Sequence, residues 1–102
     1  MMNIDKMQDI TDFYQDFLQA IRSIRGSMLH RDAEKKLMLL RWLDARQKKR
    51  NCRSHCKSEI LSMYAEVETH PPEVLERRIR TLYENCACIL AQLRAPAVRR
   101  YA

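Results

Sequence analysis

Residues 27–70, SMLHRDAEKKLMLLRWLDARQKKRNCRSHCKSEILSMYAEVETH, run for 44 positions without a glycine or a proline. Those two residues are the usual interrupters of a helix, so the reading of this stretch decides the fold. Its apolar positions fall in two patches, Ala33, Leu37, Leu40 and Leu43 early and Cys52, Cys56, Ile60, Met63 and Val67 late. Leu37 and Met63 are 26 positions apart, about a whole number of turns at roughly 3.6 residues each, so one unbroken helix sets both patches on the same side. The pattern predicts a single long helix over about 31–68; the alternative is a break near Lys48.

Outward from this stretch, both flanks read as shorter helices. On the N-terminal side Met7, Ile10, Tyr14, Phe17, Ile21, Ile24 and Met28 alternate steps of three and four, which holds them on one helical face. Asn3 or Asp5 suits the cap, the early acids complement the helix dipole, and Gly26 ends the segment. Phe13 and Leu18 widen the stripe, so this helix is expected to touch more than one neighbour. On the C-terminal side Leu75, Ile79, Leu82, Cys86, Ile89 and Leu93 form a second stripe. Thr69 or His70 is read as its cap, Pro71 and Pro72 as its first turn, and Pro96 as its stop.

The fold expected is all-α, with helices at about 4–25, 31–68 and 72–94 in one domain over residues 1–96 and a short basic tail at 97–102. A middle helix of about 38 residues is roughly 57 Å long, whereas flanks of about 20 residues reach roughly 30 Å. Each flank then covers half of it, and a homodimer is the simplest way to bury the remainder.

The composition agrees with a folded helical chain. Of 102 residues, 46% are hydrophobic and 31% charged, with one glycine, too apolar for a disordered segment. No apolar run approaches the roughly 20 residues that span a bilayer, and Asp5, Asp9, Asp12 and Asp16 interrupt any apolar run of signal-peptide type. Four cysteines in such a chain read as reduced thiols, and the compartment expected is the cytoplasm.

Charge supplies the one strong functional bias. Arg41, Arg46, Lys48, Lys49, Arg50, Arg53 and Lys57 lie within seventeen residues with Asp44 as the only acid, and the rest of the chain is balanced, so this segment carries the whole net charge of +6. Such a patch draws acidic protein surfaces, phosphates or anionic lipid. For nucleic acid the support is charge alone: no glycine-marked helix-turn-helix, no zipper of sufficient length and no aromatic alternating with the cations accompanies it. For a membrane surface the segment lacks large apolar residues to insert beyond Trp42 and Leu43. Charge alone also fits the solvated face of a helix.

The reading adopted is a non-enzymatic regulatory or adaptor protein that binds an acidic protein partner through Arg41, Trp42, Arg46, Lys48, Lys49, Arg50, Arg53 and Lys57. A nucleic-acid-binding regulator using the same residues on phosphates is the alternative. Trp42 is either half-buried core or an interface anchor, Trp and Arg being enriched at the centres of interfaces.

Cys52, His55, Cys56 and Cys86 are the candidates for a zinc site, but Cys86 and Cys88 point about 200° apart on one helix and cannot share an ion. Cys52, Cys56 and Cys86 instead suit small apolar core positions, with Cys88 accessible. No cofactor is expected: the chain has a single glycine, hence no phosphate loop, and no residue pattern pairs a nucleophile with a base.

Overall fold

A computed structural model describes residues 3–95; the expected basic tail, with Tyr101, and the stop at Pro96 lie outside the described residues. The described residues are all-helical, and their four helices are α1 (Ile4–Arg25), α2 (Asp32–Gln47), α3 (Ser54–Thr69) and α4 (Pro72–Arg94). The long middle helix expected over 31–68 is therefore corrected to two helices of 16 residues each, broken just where the alternative had it.

Local chemistry accounts for the break. Lys48, Lys49 and Arg50 put three like charges in successive positions, and Asn51 follows as a turn former. The chain leaves α2 through backbone bonds from Lys48 N–H to the Asp44 carbonyl at 3.2 Å and from Lys49 N–H to the Arg46 carbonyl at 3.2 Å. Reversal there lets apolar residues from both halves of the 27–70 stretch enter one core instead of lying along one side of a rod. Leu39 and Leu43 from α2 and Ile60, Met63 and Val67 from α3 join Phe13, Phe17, Ile21, Leu75 and Ile79 in that core. The premise of the homodimer, a middle helix left half uncovered, goes with the unbroken helix.

α1 is the element around which the others assemble. Asn3 caps it, accepting from Lys6 N–H at 2.7 Å, and it ends at Gly26, whose N–H donates to the Arg22 carbonyl at 3.0 Å with φ of −84°. Phe13, Phe17 and Ile21 are fully buried; the widened stripe does serve several neighbours. α4 lies antiparallel along its whole length, because Glu76 near the start of α4 meets Arg22 and Arg25 at 3.5 and 2.5 Å while Arg94 at its end donates to Gln8. α2 and α3 form a second antiparallel pair, tied at its far end by Lys36 Nζ donating to the Glu68 carbonyl at 3.2 Å.

The two pairs are offset. Asp9 of α1 sits beside Arg53 and His55, so α3 begins there, and among the described residues the first turns of α1 and last turns of α4 have only each other. This leaves an elongated molecule of 55 × 29 × 20 Å with a radius of gyration of 15.6 Å, against roughly 12–13 Å for a compact domain of this length.

Several register details differ from the periodicity. In α2, Leu39 replaces Leu37 in the core: Leu37 is 48% exposed and Leu39 only 1%, and Ala33 is exposed as well. The four apolar residues Leu37–Leu40 go all the way round the helix, so spacing alone cannot choose the face. In α4, Leu90 is buried while Ile89 and Leu93 are exposed, since no third helix covers that end. Met28, beyond α1, is exposed too. Thr69 and His70 belong to the end of α3, and the cap of α4 is Pro71, with Pro72 in the first turn.

Candidate binding site at the boundary of α1 and α2

Along α2, Met38, Trp42 and Arg46 recur at steps of four and so share one face, directed at α1. At the apolar end the Trp42 ring stacks on Phe17 with centroids 5.2 Å apart and lies 6.1 Å from Phe13. Trp42 is nevertheless only half-buried. Its outer side borders an open groove of about 440 Å³ whose walls are Ala20, Ser23 and Ile24 of α1 and Met38, Arg41 and Trp42 of α2. Core residue and interface anchor are thus not exclusive readings: one face of the indole is packed and another borders the groove.

At the polar end lies a second cleft, of about 300 Å³, lined among others by Asp9, Asp12, Arg46, Lys49 and Arg53. α1 supplies the acids. Arg46 reaches Asp16 at 2.7 Å with its guanidinium 6.0 Å from the Phe13 ring centroid and 5.8 Å from that of Trp42. Arg53 lies 3.3 Å from Asp9, whose Oδ2 is also 3.1 Å from His55 Nε2. Lys48 pairs with Asp44 at 3.1 Å along α2.

The basic segment is therefore not one helical face. It is the end of α2, a turn and the start of α3, and three of its seven cations already hold carboxylates. Among the described residues Arg41, Lys49, Arg50 and Lys57 have no ion-pair partner. The folded neighbourhood is still positive, but Asp9, Asp12 and Asp16 temper it. These acids recur at steps of three and four, a face pattern legible in the sequence; a dipole role alone left their partners unassigned. Nor did charge point to the groove, because Met38 falls in an apolar run without a preferred face.

Deeper in, Tyr14 Oη donates to Glu59 Oε2 at 2.5 Å, and burial together with that carboxylate holds the phenol far above the ordinary tyrosine range. This contact fixes α3 against α1 and thereby positions the polar cleft.

The candidate zinc ligands are divided. Cys52, His55 and Cys56 gather at the start of α3, while Cys86 sits on α4; among the described residues no three His, Cys, Asp or Glu side chains are grouped to hold a metal. Burial pushes the Cys56 and Cys86 thiols up. All three of Cys52, Cys56 and Cys86 are half-buried, and Cys88 is exposed. Among the described residues, no helix is long and apolar enough to cross a membrane.

The chain matches no protein-family model, no curated protein and no solved structure, so geometry and chemistry alone carry the reading of the site.

Proposed function

We propose that this protein is a non-enzymatic binding protein of the adaptor or regulatory kind, acting in the cytoplasm, whose ligand is an acidic protein held by Arg41, Trp42 and the unpaired cations that follow them. The observation that carries the reading is the apolar groove beside Trp42, with Arg41, which has no ion-pair partner among the described residues, in its wall. Phosphates gain nothing from an apolar groove, whereas a protein interface uses an aromatic anchor and an arginine together. The chemistry of the thiols also favours binding over catalysis: neither Cys52 nor Cys56 hydrogen-bonds to His55, and a thiol pushed up by burial is a poor nucleophile.

A pulldown from nuclease-treated lysate tests the reading. The expected result is an acidic protein retained by the wild type and lost with Lys49→Glu/Arg50→Glu; retention of nucleic acid alone in untreated lysate, with nothing left after nuclease, sinks it in favour of the nucleic-acid reading. The two also part with salt, since a phosphate-bound complex loses orders of magnitude in affinity between low and moderate salt and a partly apolar interface far less.

A homodimer belongs to the same proposal, now through the exposed Ile4, Ile89 and Leu93 at the uncovered end of α1 and α4. Light scattering is expected to give about twice the chain mass; a value near 12.2 kDa removes the dimer.

A further inference from the structure

The boundary of α1 and α2 has a direction. Running along α2 toward its C-terminus, the surface changes from the apolar groove at Met38 and Trp42 to the cations at Lys49 and Arg50. Trp42 and Gln47, the last residue of α2, are five residues apart, about 7.5 Å at 1.5 Å per residue, and Lys49 and Arg50 lie in the turn just beyond. The acids that α1 sends to this boundary are already engaged: Asp16 by Arg46, Asp9 by Arg53 and His55, and Asp12 as acceptor from Gln8 Nε2 at 2.8 Å. Among the described residues no carboxylate lines the groove itself. Arg41, Lys49 and Arg50 are left exposed on the outside, with no acid of their own among the described residues.

We propose, resting on the acidic-protein reading above, that the groove takes an amphipathic helix of the partner. A bulky apolar side chain packs against Trp42 and Met38, one carboxylate within a turn of it meets Arg41, and further carboxylates about two turns on meet Lys49 and Arg50. Charge complementarity fixes the sign of the ligand, since unpaired cations lie beside an apolar groove free of acids. The groove's walls fix its backbone. They are two α-helices whose main-chain groups are satisfied internally, so an extended segment has no edge to pair with and leaves its own N–H and C=O groups unmatched in the groove, whereas a helix arrives with them satisfied.

Trp42 is the only tryptophan and therefore reports on occupancy. Three synthetic helical peptides of about 16 residues, or four turns, serve as probes. The first has Leu and Phe one turn apart with Glu beside them and two turns on, the second has Lys in place of Glu, and the third keeps Glu but replaces Leu and Phe with Ala. Titrated at about 150 mM salt, where exposed charges are screened within roughly 8 Å, the first is expected to change Trp42 emission and to bind at least tenfold more tightly than either control. Arg41→Glu, an exposed substitution whose helical melting curve is expected to match the wild type's, is expected to lower that affinity at least tenfold and to favour the lysine peptide.

Equal affinity for the acidic and basic peptides, no binding of the first, or indifference to Arg41→Glu overturns the inference. A pulldown partner lost with Lys49→Glu/Arg50→Glu but kept by Met38→Glu and Arg41→Glu leaves the acidic-protein reading intact and removes the groove helix alone.

Discussion

Replacing Tyr14 with Phe removes one hydroxyl from the contact between α1 and α3 and leaves the Glu59 carboxylate without its donor. A hydrogen bond to a charged group contributes about 1.5–3 kcal/mol when buried; Glu59 is half-buried, so the expected loss at pH 7 is about 1–2 kcal/mol, or a fall in Tm of roughly 4–8 °C per kcal/mol for a domain of this size. The loss should depend on pH in a definite direction. The Tyr14 phenol is held in its neutral form, its folded pKa lying above the unfolded value. Its contribution is therefore fully present below about pH 10, the unfolded value, and declines as pH rises toward the folded value, because the unfolded chain can ionise and the folded one cannot. The decline is about 1.4 kcal/mol per pH unit, so the wild type's advantage over Tyr14→Phe should vanish near pH 11. Urea unfolding of both proteins, followed by circular dichroism from pH 7 to about 11.5 with a reductant present, measures the difference directly. A difference that stays constant across pH 9–11.5 would refute the claim that the Tyr14 proton is locked between burial and Glu59.

Other consequences are simpler to read. Phe17→Ala should cost about 3–5 kcal/mol, since Phe17 is fully buried under Trp42 and against Phe13; against a total of about 5–15 kcal/mol, thermal melting should fall steeply or disappear, and a shift under a few degrees contradicts the packing. Arg46→Ala should destabilise more than Asp16→Ala in chemical unfolding, because the arginine also packs over Phe13 and Trp42, while the half-buried ion pair alone contributes about 1 kcal/mol; equal losses confine its role to the charge. Titration with a maleimide at pH 7 should give one fast thiol, abolished by Cys88→Ser, and three slow ones, because the other cysteines are half-buried; fast reaction at Cys56 or Cys86 conflicts with thiols pushed up by burial.

The amphipathic stripes of α1 and of the first half of α4, the Asn3 cap and the end at Gly26 were all legible in the sequence, because they rest on spacing and local hydrogen bonding. The concentration of charge in residues 41–57 was legible too. Residues that act through neighbours distant in sequence were not. Whether Arg46 and Arg53 were free for a partner depended on Asp16 and Asp9, some thirty and forty-four positions away, and the apolar run Leu37–Leu40 had no preferred face until α1 and α3 packed against α2.

By itself, then, the sequence determined that this chain is helical and where its charge lies: absence of breakers, periodicity and composition act within a few residues of one another. Only the tertiary structure decided that the stretch without glycine or proline turns back on itself. A rod would leave Leu39, Leu43, Ile60, Met63 and Val67 without a common core, whereas a reversal at three consecutive cations buries all five. The same fold decided which cations stay outside ion pairs among the described residues, bringing the acids of α1 onto the basic segment and leaving Arg41, beside the groove at Trp42, without one.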